Sequence, residues 1–255
     1  MTSLKTKPPL NKGLLYLGED FKVDEQFIIH QPKIQEIFNI GESEFFSTLN
    51  IFIGNTTMYR LPLWKQGIDW NKISDFELFI MLLSGLEPNK TTQLLFGDID
   101  FTQFKHGVIP QKNAEDNDKI IIFDLAQNLI IDEDMYLFMR EGLRYMFNIY
   151  PKTEFAKGKT TKEWIIGEEK DKIKAQEGKP SKDFLLPLIS FCVNHPGFKY
   201  KTSELKEVGI VEFMDSVKQL QHNENVIALL HGVNSGFVDA SKIPQERFNF
   251  IREEL

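Results

Sequence analysis

The sequence has few of the residues and runs that define several classes of protein. Cys192 is its single cysteine, so no disulfide can form within the chain, and the apolar residues around it indicate a buried thiol. The longest apolar runs, 78–83 and 185–189, are far shorter than the roughly 20 residues that cross a bilayer. The N-terminal residues lack the apolar segment of a secretory signal. We therefore expect a protein of the reducing cytoplasm, with no membrane anchor.

Excess positive charge is also absent. The chain has 30 Lys and Arg against 37 Asp and Glu, a formal charge of −7, which gives no sequence-wide attraction for nucleic acid. With 42% hydrophobic and 26% charged residues, the composition is that of an ordinary globular protein rather than a disordered or repetitive one. Duplex binding is therefore disfavoured, and we expect one large or two small domains.

Catalytic and nucleotide-binding motifs are missing as well. The sequence has no Gly-x-Ser-x-Gly elbow, no Gly-x-x-x-x-Gly-Lys-Ser/Thr loop and no Gly-x-Gly-x-x-Gly after a strand. Its five histidines form no His-x-x-x-His or His-Glu-x-x-His pair that would place two imidazoles on one helix face. We expect a protein that is not an enzyme and has no cofactor, catalytic residue or metal site.

Acidic clusters and the cysteine leave enzymatic alternatives open. Asp98 with Asp100, and the run 132–134, are the tight acidic groups that could bind Mg²⁺ for phosphoryl transfer. Turn chemistry explains the first group, and capping of the following helix explains the second. Cys192 lies three residues before His195, but its apolar surroundings disfavour the thiolate that a nucleophile needs. We favour the structural interpretation of each.

Short strands and helices alternate at the start of the chain. Residues 1–12 are polar and contain prolines, which predicts a flexible arm. Helical spacing predicts one helix opened by Pro32 and a second one after Gly41. Apolar runs with turn residues between them predict a small antiparallel meander of three strands, at 14–17, 21–23 and 26–30.

Local signals are clearest between residues 70 and 150. Ser74 and Glu77 have the form of a capping box, which predicts a helix that ends at Gly85. The polar stretch 103–118 is expected to be a loop. Two β-branched runs, at 119–123 and 129–131, flank a turn and predict a hairpin. Three carboxylates at 132–134 stand at the start of an apolar pattern and predict a helix over 135–147.

The remainder of the chain has helical character. Ser181 is expected to cap a helix over 184–193, which is apolar nearly all round and is therefore predicted to be buried. A last short helix is predicted from Pro244 to Arg252. Between them, one apolar face predicts a long helix that ends near Gly232 and buries Ile210, Phe213, Met214, Val217, Leu220, Ile227 and Ala228.

These patterns predict an α+β protein that is predominantly helical, with small antiparallel β elements in the N-terminal half and a helical C-terminal half. Residues 1–150 are expected to form a mixed α+β domain with an N-terminal arm. The segment 151–182 is rich in lysine and glutamate and predicts a charged hinge or an exposed helix. Residues 183–255 are expected to form a helical domain.

Aromatic and methionine residues supply the candidates for a partner-binding surface. An amphipathic helix of a partner would lay its apolar face in a groove lined by such side chains. Two sets have suitable spacing, Phe45, Phe46 and Phe52, and Phe213, Met214 and Val217. Packing in the core explains both sets equally well.

Part of the chain resembles a known family. In the run FIIHQPKIQEIFNIGESEFF, at 27–46, a short strand with a central proline precedes an Ile-x-x-Ile helix, Gly-Glu and an aromatic. Three further stretches are LPLIS, VNHPGFKY and FMDSVKQLQ, at 186–190, 193–200 and 213–221. Together they resemble tail-assembly proteins of phages that infect Gram-positive bacteria. Such tail-assembly chaperones are small helical proteins that hold the aggregation-prone tape-measure protein until the tail tube polymerises around it.

The resemblance implies a non-enzymatic phage morphogenesis protein that binds a helical client, such as the tape-measure protein, in the host cytoplasm. This chain is longer than the usual family member and carries a β-rich insertion around 94–131. One alternative is a structural virion component, namely a tail, connector or head-completion protein. A less favoured one is a Mg²⁺-dependent nuclease. Other phage proteins are the expected partners, an oligomer is compatible with the sequence, and neither nucleic acid nor membrane is expected as a partner.

Overall fold

A computed structural model describes residues 9–110, 118–179 and 182–252. The chain is α+β and mainly helical, with small antiparallel sheets in its N-terminal half and helices in its C-terminal half, which confirms the predicted fold class. Its helices are α1 (Lys12–Tyr16), α2 (Ile34–Ile40), α3 (Glu42–Ile53), α4 (Arg60–Lys65), α5 (Asp75–Leu83), α6 (Lys90–Phe96), α7 (Glu133–Phe147), α8 (Lys159–Gln176), α9 (Leu185–Asn194) and α10 (Ile210–Asn234). Its strands are β1 (Phe21–Lys22), β2 (Ile28–Ile29), β3 (Lys105–Ile109), β4 (Lys119–Asp124) and β5 (Leu129–Asp132).

The chain divides into two compact units. One, the mixed unit, consists of residues 20–30 and 37–182, and it contains both sheets. The other, the α9–α10 unit, consists of residues 1–19, 31–36 and 183–255. The predicted boundaries at residues 150 and 182 stay a prediction. Among the described residues, no helix combines the length and apolarity needed to span a bilayer.

The core of the mixed unit is built around an aromatic cluster. Helix α3 buries Phe45, Leu49 and Phe52 on one face, because these residues recur at helical spacing. The Phe52 ring lies 4.6 Å from that of Phe96 and 5.1 Å from that of Phe101, measured between centroids. Such tilted and edge contacts add to the hydrophobic gain of burial.

The elements with clear local signals form as predicted. The Ser74 hydroxyl accepts the Glu77 N–H, and the Glu77 carboxylate accepts the Ser74 N–H at 2.7 Å, which completes the capping box of α5. Strands β4 and β5 form the expected antiparallel hairpin. Asp132 caps α7, since its carboxylate accepts the Met135 N–H at 2.8 Å.

Two predictions in the N-terminal half are wrong. The run 14–17 is not a strand: α1 covers most of it, because the Asn11 side chain accepts the Leu14 N–H and caps a helix there. The other two runs of the meander pair as β1 and β2. The stretch 103–118, predicted as a loop, contains strand β3, which pairs with β4 despite a glycine at its centre. Residues 111–117 of that stretch, and 1–8 of the predicted arm, lie outside the described residues.

Helix α10 contributes seven buried residues to the α9–α10 unit. It buries five of the residues that the sequence placed on its apolar face, Ile210, Phe213, Met214, Val217 and Leu220. Ile227 and Ala228 are exposed instead, and Val226 is buried, because the buried side of the helix changes along its length. The helix continues to Asn234, and the predicted last helix is reduced to a 3-10 turn at Gln245–Phe248.

Candidate protein-binding surface

Helix α9 leaves much of its apolar surface open. The sequence predicts a buried helix, and the structure corrects this, since only Leu185 and Cys192 are buried. Leu186 is 50% exposed, Phe191 38% and Val193 37%. Leu188 and Ile189 are half-buried, and the helix contains no charged residue. The predicted cap, Ser181, lies outside the described residues, and Phe184 precedes the helix without a side-chain cap. An apolar helix that is half uncovered is typical of an interaction surface.

The C-terminal half of α10 is also incompletely covered. Ile227 is 40% exposed, Leu229 and Leu230 are half-buried, and Phe237, just beyond the helix, is 91% exposed. A cavity of about 720 Å³ opens beside this half, and Val226, Leu229, Val238 and Pro244 give it apolar walls. The same lining also has polar groups, from His222, Asn225, Glu246 and Arg247. This volume lies within the range of small-molecule pockets in proteins.

The structure places the six residues proposed from sequence mainly in the cores. Phe45, Phe52 and Phe213 are fully buried, and Met214 and Val217 are each 4% exposed. Phe46 is half-buried, and its ring lies 5.3 Å from that of Phe45. The two triplets belong to different units, the first to the mixed unit and the second to the α9–α10 unit. Packing in the core, the alternative that the sequence left open, accounts for this placement, and a partner groove at these residues stays a prediction.

The acidic clusters have structural partners. The Asp100 carboxylate accepts both the N–H of Thr102, at 2.9 Å, and its hydroxyl, at 2.7 Å. These bonds stabilise the charged form and lower the pKa of Asp100. Asp98 contributes its backbone carbonyl, which accepts the Gln127 amide. Across the parts of the chain that the structure describes, no group of three or more His, Cys, Asp or Glu side chains could hold a metal ion.

Cys192 and His195 do not form a catalytic pair. The Cys192 thiol is buried, and burial raises its pKa to about 11. The His195 ring bonds elsewhere, since Nε2 lies 2.9 Å from Glu224 Oε1 and Nδ1 accepts the Gly197 N–H at 3.0 Å. An acceptor role for Nδ1 places the ring proton on Nε2. The thiol therefore has neither the acidity nor the base that a nucleophile requires.

No protein-family model matches this sequence, and neither curated proteins nor solved structures gave a significant match. The open surface of α9 is thus interpreted from its own chemistry. Sequence reasoning missed this surface because an apolar helix has the same pattern whether a neighbour covers it or not. The signal in the sequence was the absence of Asp, Glu, Lys and Arg from 184–195. An apolar helix of this length has side chains in contact with water unless another segment or a partner covers them.

Proposed function

We propose that this protein is a non-enzymatic phage morphogenesis protein of the tail assembly chaperone type, which binds a helical client such as the tape-measure protein. The observation that carries the proposal is the open apolar surface of α9, together with its lack of charge. The residue resemblance to phage tail-assembly proteins supplies the biological setting. Host cytoplasm is the corresponding location, and a chaperone would be absent from the finished virion.

The energetics of α9 favour a protein partner. Covering a half-exposed leucine or phenylalanine removes apolar area from water and contributes about 1–1.5 kcal/mol per side chain. Leu186, Phe191 and Val193 together supply enough for a weak, reversible contact, because association costs offset much of the gain. Reversible binding is what a chaperone requires, since the client must be released when the tail tube forms.

The charge of the chain is consistent with a chaperone that keeps its client soluble. A formal charge of −7 makes complexes repel one another, which opposes aggregation of a bound apolar client. The apolar face of a client helix would pack on α9 in the manner of helix-in-groove recognition. The bound complex would then expose acidic side chains rather than the client's apolar face.

Co-expression tests this proposal. The chain is produced together with the tape-measure protein of the same genome, and the soluble client that co-purifies is quantified. Leu186→Glu and Phe191→Glu place a charge in the apolar contact, so we expect the soluble client to fall about tenfold. Leu125→Glu is the matched control, because Leu125 is 81% exposed in the mixed unit and outside the surface.

Two outcomes would contradict the proposal. One is a soluble client yield that is unchanged in both α9 variants. The other is retention of the protein at fixed copy number in purified particles, which would identify the alternative, a structural virion component. Particle composition is measured by quantitative mass spectrometry of the same phage.

A further inference from the structure

Three cations lie around one carboxylate in the α9–α10 unit. Asp215 and Lys218 are neighbours on the surface of α10, because they are three residues apart on the helix. Arg252 forms an ion pair with Asp215, and Lys12, the first residue of α1, is close enough for its charge to act on Lys218. These four residues are called the cation cluster below. Three positive charges and one negative charge leave the cluster with a formal charge of +2.

The cluster forms because distant segments of the chain meet on α10. The Gln219 Nε2 atom donates to the Phe250 carbonyl at 2.9 Å. His222 Nε2 lies 2.7 Å from the Asn249 carbonyl oxygen, so this ring nitrogen is the donor. The two bonds hold residues 249–252 along α10 and bring Arg252 to Asp215. Helix α1 contacts α10 as well, and it carries Lys12.

The charges of the cluster are partly removed from solvent. The Arg252 and Asp215 side chains are only 16% and 17% exposed, and Lys218 is half-buried. Solvent therefore screens these charges less than it screens charges on the open surface. Burial lowers the pKa of Lys218, the charge of Arg252 lowers it further and that of Lys12 adds to the effect, whereas Asp215 opposes them. Positive charge is thus in excess at Lys218.

The Lys218 ammonium has no acceptor among the described residues. It has three N–H donors, yet its side chain forms neither a hydrogen bond nor an ion pair there. The neighbouring carboxylates are engaged elsewhere. Asp215 is paired with Arg252, and Glu212, one turn earlier, accepts Lys199 Nζ at 3.0 Å and the Tyr200 hydroxyl. A half-buried cation without an acceptor is stabilised by an anion that supplies one.

The charge of the cluster favours a phosphate group over a carboxylate. A phosphate monoester carries a charge of about −1.5 to −2 near pH 7 and has three acceptor oxygens. Such a group balances the formal charge of +2, whereas a carboxylate, with one negative charge, leaves half of it. Lysine binds phosphate as a point charge, which requires no fixed orientation of the ligand.

We propose that the cation cluster is a binding site for the phosphate group of a small solute, and that Lys218 is the residue that contacts it. Arg252 stays paired with Asp215, and together with Lys12 it adds to the positive potential that attracts the anion. The inference goes beyond the proposed function and is independent of the α9 surface. A bound phosphate also neutralises the repulsion between the cations, so it holds α1 and residues 249–252 more firmly to α10.

Phosphate binding is measured on the full chain by isothermal titration calorimetry near pH 7, with sodium chloride keeping the ionic strength constant. The probe is inorganic phosphate. Lys218→Gln removes the ammonium at similar side-chain length, and we expect it to weaken binding at least about tenfold. Lys206→Gln is the matched control with unchanged affinity, because Lys206 is an exposed lysine of the same unit and lies outside the cluster.

A second titration identifies the source of the phosphate group. Glycerol 3-phosphate carries the same group on a small organic molecule. Binding as tight as that of inorganic phosphate, or tighter, assigns the site to a phosphorylated solute. Binding that is about tenfold weaker assigns it to free phosphate. In both cases Lys218→Gln must lose the interaction and Lys206→Gln must keep it.

Thermal unfolding separates a ligand-binding role of Lys218 from a purely structural one. Without phosphate, Lys218→Gln relieves the repulsion between cations, so we expect its Tm to equal or exceed that of the unmodified protein. Phosphate at about ten times the dissociation constant should raise the Tm of the unmodified protein by about 3 °C and leave that of Lys218→Gln unchanged. Amide exchange over 249–252 should slow with phosphate in the unmodified protein alone.

Three outcomes would overturn the inference. One is equal phosphate affinity of Lys218→Gln and the unmodified protein. Another is a rise in Tm that sodium chloride of the same ionic strength reproduces, which would be a general effect of salt. The third is phosphate binding that appears only in Glu253→Gln with Glu254→Gln, since the cluster would then belong to the carboxylates that follow Arg252 in the sequence. Circular dichroism confirms that each variant is folded.

Discussion

Cys192 illustrates how burial decides the chemistry of a single side chain. The thiol has a histidine three residues away in sequence, yet the imidazole bonds to Glu224 and to the Gly197 N–H. The sulfur is buried, and loss of hydration raises the thiol pKa to about 11. The residue therefore acts as a small apolar core group, which is the usual role of a buried free cysteine.

Thiol labelling checks this placement. At pH 8 a thiol of pKa about 11 is ionised in about one molecule in a thousand, whereas an unfolded cysteine of pKa about 8.5 is ionised in about a quarter. We expect Ellman's reagent to leave the native protein unmodified over minutes and to react fully in concentrated guanidinium. Rapid labelling of the native protein would show that Cys192 is accessible.

The same raised pKa has a defined effect on stability. The folded state disfavours the thiolate, so this stabilising contribution is complete below the unfolded pKa of about 8.5. It is lost as the pH rises toward the folded pKa of about 11. The Cys192→Ser variant has no thiol at this position, so it lacks this pH-dependent contribution. We expect the free energy of unfolding of the native protein to fall more steeply than that of Cys192→Ser over this interval, as measured by urea titration.

At the scale of elements, helix α7 shows how one small residue sets a packing distance. The Phe21 ring of β1 lies directly over Gly142, where a Cβ atom would come within 2.1 Å of Phe21 Cε1. The ring also contacts Phe138 one turn earlier, at 5.2 Å between centroids. Gly142 thus lets the first sheet pack against α7 at a distance that no other residue allows.

A pair of glycine substitutions measures this effect. Gly142→Ala overfills the contact, and we expect it to lower the free energy of unfolding by about 1–3 kcal/mol. Gly167→Ala is the control in α8, since a Cβ atom at that position would meet nothing within 4 Å. There the alanine should stabilise the helix by about 0.5–1 kcal/mol. Denaturant unfolding measures both, and equal effects of the two substitutions would contradict the close contact.

The elements predicted correctly from sequence have their cause in adjacent residues. The capping box at Ser74, the β4–β5 hairpin and the Asp132 cap are fixed by hydrogen bonds or turns within a few positions. Elements that depend on distant residues were missed or misassigned. Strand β3 exists because β4 pairs with it across a glycine, and the exposure of α9 depends on which neighbours reach it. The contacts of residues 249–252 with α10 could not be predicted for the same reason, since their partners are 27–37 residues away.

At the scale of the whole molecule, two opposing forces act between copies of the chain. The open apolar surface of α9 favours association, and the formal charge of −7 opposes it. Salt screens the charge and leaves the apolar attraction in place. Self-association therefore depends on ionic strength. Once salt has reduced the charge repulsion, we expect the apolar surface of α9 to drive association.

Sedimentation velocity measures this balance. Raising the salt concentration from about 0.05 M to about 0.5 M shortens the Debye length to a few ångströms, so we expect the weight-average mass to increase. In Leu186→Glu the increase should be absent, whereas Leu125→Glu should behave like the unmodified protein. The same mass for all three proteins at both salt concentrations would mean that α9 does not drive association.

Strand β3, one of the two outer strands of the larger sheet, affects how this molecule can associate with other chains. Strand β3 pairs with β4 alone among the described residues, so its other edge offers backbone groups to any extended peptide. The strand is short, begins with Lys105 and is followed at once by Pro110, devices that discourage pairing edge to edge. Pairing of another chain with this edge is thus resisted, and β5, the strand at the other edge of the sheet, is only four residues long. A protein that works beside aggregation-prone apolar partners can in this way avoid forming cross-β fibrils itself.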